Sequence, residues 1–312
     1  MRSVAIDLGG TSVKLGLVVD GVIESVSELP VSGGVDLAEV AAAVDALRGR
    51  EAVDADAVGI AVPGVVDRGG RRLVAAHGKY ADLHGVDLCA WSAARFGVAA
   101  IVENDARAAL AGEIASGAAS GAADAVLLTL GTGIGTAALV DGRLLRGRHG
   151  HAGVLNGHVT VDLDGPRCPC GNIGCAEAVA STWALAEAAR RGDVALGPEL
   201  EARRSSGAAL GIRDLVETAH EAESAVLLSR FLDVWAAVAV TLCHAFDPEV
   251  VVVTGGVLRA ADLILPGLRD RVHAHLWSSS FRPPLVAADD PATSVLRGLA
   301  ALASAQTHEG HR

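Results

Sequence analysis

Ten residues after His158 the chain runs Cys168-Pro169-Cys170-Gly171-Asn172-Ile173-Gly174-Cys175, so three of its five cysteines fall together. The spacing C-x-C-x4-C with an upstream histidine supplies three thiolates and one imidazole, the donor set of a closed tetrahedral zinc site. Two other readings compete: the thiols are reduced bystanders, or Cys168 and Cys170 form a redox pair. A redox pair ordinarily has two residues between its cysteines and stands near a helix start, whereas here one proline intervenes. Gly171 and Gly174 let the backbone turn tightly around an ion. With no open ligand position, such zinc is structural, and His158, Cys168, Cys170 and Cys175 are its expected ligands.

Three glycine turns suggest a second chemistry. Asp7-Leu8-Gly9-Gly10-Thr11 lies between two strand-like runs, where glycines let backbone N–H groups approach a phosphate and Thr11 adds a hydroxyl. The same residues could make only a hairpin. Gly131-Thr132-Gly133-Ile134-Gly135 is placed in the same way further along, and Gly255-Gly256 ends a buried strand-like run. Together the first two turns could hold a polyphosphate from opposite sides of a cleft, and the third suits a flat nucleotide face or a helix entry. Neither G-x4-G-K-S/T nor G-x-G-x-x-G occurs, which weakens a P-loop or Rossmann reading.

Glu103-Asn104-Asp105 stands where a strand should pass into a helix. An aspartate there can be a plain helix N-cap. It can also be a general base that takes the proton of a hydroxyl as that hydroxyl attacks a phosphoryl group, and Asp105 is the candidate. Phosphoryl transfer otherwise depends on positioning and charge neutralisation, so an Mg2+ ion is expected near Asp7 and the phosphates.

The elements that must position these groups follow from periodicity and turn residues. Strands are expected at Val4 to Ile6, Val13 to Val19 and Val22 to Val26, with Asp20-Gly21 as a hairpin turn, then at Ala57 to Ala61 and Ala99 to Val102. Helices are expected at Leu37 to Leu47, Leu88 to Phe96 and Asp105 to Ser116. The opening plan then recurs: strands at Ala125 to Leu130 and Ile134 to Val140, and an Asp141-Gly142 turn. Helices at Thr182 to Arg191, Ile212 to His220 and Ala222 to Ala245 follow, then a strand at Val250 to Thr254 and a terminal helix at Ala292 to Gln306. Two similar α/β halves are the expectation.

With 312 residues, two domains are the default. Against 26 basic residues stand 37 acidic ones, a net charge of −11 that disfavours nucleic-acid binding. No apolar run reads as a membrane span and no signal peptide precedes the first strand, so a soluble, cytoplasmic protein is expected. Sparse cysteine fits a reducing compartment.

In this order the motifs resemble the ROK family of sugar kinases and sugar-responsive repressors, over essentially the whole chain. Asp7 to Thr11 resembles the family's first phosphate motif, Pro63-Gly64-Val65-Val66-Asp67 its substrate-side turn, and Glu103-Asn104-Asp105-Ala106 its catalytic element. Gly131 to Gly135 resembles the second phosphate motif, Gly255-Gly256 the adenosine-side turn, and the His158 and cysteine set the zinc site.

The resemblance implies two actin-like ATPase domains of the ribonuclease H type around a cleft. The expected division is 1–115 and 116–291, with helix 292–306 packing back on the first and the zinc loop at 158–177 in the second. ATP would bind at Asp7, Gly9, Gly10, Thr11, Lys14, Gly131, Thr132, Gly133, Gly135, Gly255 and Gly256. A hexose-like sugar would bind at Gly64, Asn104, Asp105, Asn156, His158 and Glu177, with Asp105 activating its primary hydroxyl. Family habit also implies a homodimer.

The resemblance breaks in one place. The family usually reads A-G-E-x-G-H, and this chain reads Ala152-Gly153-Val154-Leu155-Asn156-Gly157-His158, with valine for the glutamate and one residue more. A carboxylate that accepts sugar hydroxyls is missing, Asn156 is the expected partial replacement, plain glucose is less secure as the acceptor, and a modified hexose, an amino sugar or a cyclitol becomes credible. Arg107, where the family often has asparagine after the Asp-Ala pair, is a second difference that points the same way but could be a surface change. A sugar-sensing regulator or a catalytically silent sugar-binding protein is the alternative function.

Overall fold

Residues 1–10, 12–31, 34–49, 55–76 and 80–309 are described by the computed structural model. Strand β1 (Arg2–Leu8) pairs antiparallel with β2 (Ser12–Val19), and β2 pairs antiparallel with β3 (Val22–Pro30). Helix α1 (Leu37–Arg48) leads to β4 (Ala57–Val62), which lies parallel to β1. A small hairpin of β5 (Val65–Val66) and β6 (Leu73–Ala75) and helix α2 (Leu88–Phe96) precede β7 (Ala100–Asn104), parallel to β4. The sheet order is therefore β3-β2-β1-β4-β7.

Helix α3 (Asp105–Ser116) carries the chain into a second sheet. Its first strands, β8 (Ala125–Leu130), β9 (Ile134–Val140) and β10 (Arg143–Leu144), are antiparallel neighbours. Five helices follow: α4 (Ala176–Ala180), α5 (Thr182–Arg191), α6 (Pro198–Ser205), α7 (Ile212–Glu217) and α8 (Ala222–Phe246). Strand β11 (Val250–Thr254) runs parallel to β8, helix α9 (Ala261–His275) crosses over, β12 (Leu285–Ala287) runs parallel to β11, and α10 (Ser294–Glu309) ends the fold. The order β10-β9-β8-β11-β12 repeats that of the first sheet, position by position. The expected α/β class and duplicated plan are both present.

Burial explains the pattern. All six residues of β4 and all five of β11 are buried, as parallel strands covered on both faces require, whereas the edge strand β3 alternates between exposed and partly buried. Both predicted hairpins turn on an Asp-Gly pair with positive φ at each residue: 49° and 82° at Asp20-Gly21, 50° and 70° at Asp141-Gly142.

Helix α10 packs on α3, β1 and β4. It crosses α3 at a glycine contact. A Cβ added to Gly298 would stand 1.7 Å from the Ala108 oxygen, and one on Gly112 would stand 2.0 Å from the Ser294 oxygen, so no side chain fits between these backbones. Beside the crossing, the fully buried Glu113 accepts hydrogen bonds from Ser294 and Arg297.

Two expectations need correction. Helix α8 is in fact long and apolar enough to cross a membrane, by length and composition only. Its apolar face instead packs into the second half's core, where Phe231, Trp235, Val238 and Leu242 are each at most 2 % exposed. Helix α9 was not expected, because Pro266 and Gly267 interrupt its pattern; the structure accommodates Pro266 inside the helix.

Candidate active site

The catalytic corner forms where β7 ends. Asn104, not Asp105, is the N-cap of α3: its side-chain oxygen accepts the Arg107 N–H at 3.1 Å, in a β/extended conformation. The N-cap reading of Asp105 is thereby corrected. The Asn104 side-chain nitrogen donates to the Gly64 carbonyl at 2.9 Å and to Asp105 Oδ1 at 3.0 Å. With its nitrogen so engaged, what Asn104 can offer a ligand is the remaining lone pair of its oxygen. Asp105 Oδ1 also accepts the Ala106 N–H at 2.8 Å, so two donors fix the carboxylate at the head of the helix. Gly64 has φ +100°, and a Cβ there would meet the Ala75 oxygen at 2.3 Å, which requires glycine.

Asp7 ends β1 opposite Lys14. Burial, and then the charge of Asp105, push the Asp7 carboxyl up to about 7, while Lys14 pulls it down. The two carboxylates thus feel one another's charge, a repulsion that a bound cation would relieve. The buried Tyr80, with φ +58°, donates its hydroxyl to the Gly9 carbonyl. Burial and the charges of Asp7 and Asp105 raise this phenol to about 12. No motif pointed to Tyr80, the chain's single tyrosine, because its link to Gly9 spans 71 positions. Gly10 is exposed in the same turn, and Thr11 lies outside the described residues.

Gly131 and Gly256 meet: a Cβ on Gly131 would stand 3.8 Å from the Gly256 nitrogen. Gly255, with φ +97°, lies so close to the Leu130 backbone that a Cβ would be 2.4 Å from its oxygen. The second and third glycine turns therefore form one surface. Gly131 and Thr132 also accept backbone hydrogen bonds from Thr182 and Trp183. Gly135 is a residue of β9 itself, its Cβ position in ordinary contact with Ala106 at the head of α3.

Glu177 follows the last cysteine in α4 and reaches the second glycine turn. Its Oε2 accepts the Ile134 N–H at 2.8 Å, its Oε1 accepts the Trp183 ring N–H at 3.3 Å, and a Cβ on Gly133 would collide with it at 2.4 Å. In this geometry Glu177 ties the zinc loop to Gly133. A carboxylate has further lone pairs, so a hydroxyl can still bind there.

The four expected zinc ligands converge, with their donor atoms all within 4.8 Å of one another. Cys168 Sγ stands 3.6 Å from His158 Nδ1, and Cys170 Sγ stands 3.6 Å from Cys175 Sγ. Ligands bound to zinc at about 2.0–2.3 Å occupy tetrahedron corners about 3.5–3.8 Å apart, so the donor set fits. All five cysteines are free of disulfides. Asn172 donates to Cys175 Sγ, to the His158 carbonyl and to Thr160, bracing the loop from outside. With Nδ1 turned to the thiols, His158 presents its other ring nitrogen away from them.

Ahead of His158, Val154 is only 7 % exposed, so its side chain packs inward and does not line an open edge. Asn156 Nδ2 donates to Thr136 Oγ1 and to the Gly153 carbonyl, both at 3.2 Å, which leaves its oxygen for a ligand hydroxyl. Beside it, Arg148, His149 and His151 line an open groove. Arg107 is not a surface residue: it is 1 % exposed and bonded to Glu103 and to three carbonyls of the 145–152 segment.

Known proteins share this architecture. A model of the ROK family matches residues 3–306. The chain is 34 % identical over 285 residues to a glucokinase of Thermotoga maritima, covering 89 % of each. It is 35 % identical over 191 residues to an N-acetylmannosamine kinase of Salmonella arizonae, covering 61 % of this chain and 65 % of that one. A ROK family glucokinase from Streptomyces griseus, solved with glucose and AMPPNP, superimposes with a TM-score of 0.80 at 29 % identity over 98 % of this chain and all of that one. The match spans both halves, the glycine turns, the Asp105 corner and the cysteine loop, and the chain belongs to the ROK family.

Proposed function

We propose that the protein is an ATP-dependent kinase of the primary hydroxyl of a hexose or hexose-like ring. The observation that carries this reading is the Asp105 carboxylate held at the head of α3 by Asn104 and the Ala106 N–H, in a fold where the glycine turns at Gly131 and Gly256 stand against one another. When bound, ATP supplies the phosphoryl group and Mg2+ neutralises its charge, with Asp7 the residue suited to the metal side. Lys14 and the backbone of Gly9, Gly10, Gly131, Gly133, Gly255 and Gly256 hold the nucleotide. Asp105, oriented by Asn104 and the Ala106 N–H, accepts the hydroxyl proton at its carboxylate as the oxygen attacks.

Structural zinc held by His158, Cys168, Cys170 and Cys175 fixes the wall from which Asn156, His158 and Glu177 face the far edge of the ring. Asn156 brings one carbonyl oxygen where a family glutamate would bring a carboxylate, and the neighbouring groove leaves room for a substituent. This supports an amino sugar or a cyclitol beside plain hexoses. The N-acetylmannosamine kinase relative agrees with that range. The functional division at 1–115 and 116–291, and a homodimer, are further parts of the proposal.

ADP release measured across hexoses, amino sugars and cyclitols tests the function. Turnover with at least one ring sugar is expected, and no turnover with any of them would reject it.

A further inference from the structure

We infer that Arg107 is a positioning residue for sugar recognition: it locks the 145–152 segment to the helix that carries Asp105, so that the wall beyond keeps a set distance from the phosphoryl acceptor. This rests on the kinase reading above. Arg107 lies two residues past Asp105 in α3, with its side chain buried at the junction between that helix and the segment leaving β10. Nε donates to the Leu145 carbonyl at 2.9 Å, and Nη2 donates to the carbonyls of Gly150 at 2.7 Å and Ala152 at 2.9 Å. One planar fork thus gathers three acceptors from eight consecutive residues.

The charge is matched locally. Arg107 Nη1 donates to Glu103 Oε1 at 3.2 Å, and Glu103, itself 4 % exposed, receives Arg146 Nε at 3.0 Å on its other oxygen. Arg146 belongs to the same segment, so Glu103 and Arg107 clasp it from two sides. The segment also sits hard against β5: a Cβ on Gly150 would be 2.2 Å from the Val66 oxygen.

From the clasp the structure runs directly into the wall. Gly153, next to Ala152, accepts Thr136 Oγ1 at 2.7 Å and Asn156 Nδ2 at 3.2 Å, and His158 follows two residues on. The Gly150 carbonyl is buried and costly to leave without a donor, and the Leu145 and Ala152 carbonyls are partly so, so loss of the fork should free the segment and shift Asn156 relative to Asp105. Lysine cannot substitute, because a point charge does not reproduce three directed bonds in one plane.

Arg107→Lys and Arg146→Ala test the inference, the second being a half-exposed position. Turnover, zinc content and sugar affinity by calorimetry are read together. Arg107→Lys is expected to raise the sugar KM and dissociation constant about tenfold or more, with kcat and the ATP KM changed less than about threefold and zinc retained. Arg146→Ala should move sugar affinity the same way by about threefold, and it decides the matter if Arg107→Lys does not fold. Unchanged sugar affinity in the folded variants, or equal losses for sugar and ATP, would overturn the inference. A wild-type protein that binds sugar without turnover would instead fail the kinase reading, and the affinity comparison would still decide this one.

Discussion

Asp105 and Asp7 are of one residue type and feel one another's charge, but their surroundings divide their work. Asp105 is held by two neutral donors at the head of α3, the setting of a positioned base. Asparagine there keeps the shape and removes the proton acceptor, so Asp105→Asn should cut kcat by about 10²–10⁴-fold with nucleotide affinity little changed. Single-turnover rates and nucleotide titration check this, and near-normal turnover would remove Asp105 from the role. Asp7 is protonated more readily in the fold than in the unfolded chain, with its pKa at about 7 against an ordinary 3.8. As pH rises, the unfolded chain therefore loses its proton first. The ligand-free fold should lose stability between about pH 4 and 7 and then level off, by at most about 4 kcal/mol. Asp7→Asn should remove that slope, giving a fold more stable than wild type at pH 8 and equal to it at pH 3.5, yet unable to turn over. Thermal midpoints across pH measure it, and identical slopes would reject the assignment.

Elements differ in how much of their role is local, and the zinc loop is the local extreme. Its spacing was legible because all three cysteines fall within eight residues, and the structure needed only a tight turn to bring them together. Cys170→Ser should abolish stoichiometric zinc, release Glu177 from Gly133 and Ile134, and raise the sugar KM. Metal analysis with sugar titration follows both effects, and one retained zinc per chain would refute the ligand set. Helix α3 was equally legible in its bounds, Asp105 to Ser116, because they are local, although its cap proved to be Asn104 rather than Asp105. What resisted reading was contact between distant residues. Arg107 could be read as a surface change because its carbonyl partners lie 38 to 45 positions away, and the link from Asn156 to Thr136, 20 positions back, was equally out of reach. Pattern rules also fail where a breaker is tolerated, as Pro266 is in α9.

For the whole molecule, duplication sets the functional geometry. Each half ends its central strands in glycine turns, Gly9-Gly10 in one and Gly131 and Gly255 in the other, and α10 crosses α3 too closely for either helix to take a side chain at Gly112 or Gly298. That crossing ties α10, which packs on the first sheet, to α3, which also packs on β8 and β9 of the second, while the turns lie at strand ends where a ligand can bridge them. A nucleotide that binds both sets of turns binds the folded, closed chain and not the unfolded one, so it must stabilise by mass action. At about a hundredfold excess over its dissociation constant, a non-hydrolysable ATP analogue with Mg2+ should add about 2.7 kcal/mol, roughly 5 °C in the thermal midpoint for a chain of this length. Sugar added with the analogue should raise the midpoint further and reduce the radius of gyration in solution scattering. Asp105→Asn should keep the nucleotide shift, because its defect lies in proton transfer. A midpoint unmoved by the analogue, in a preparation containing one zinc per chain, would show that the two sets of turns do not share a nucleotide.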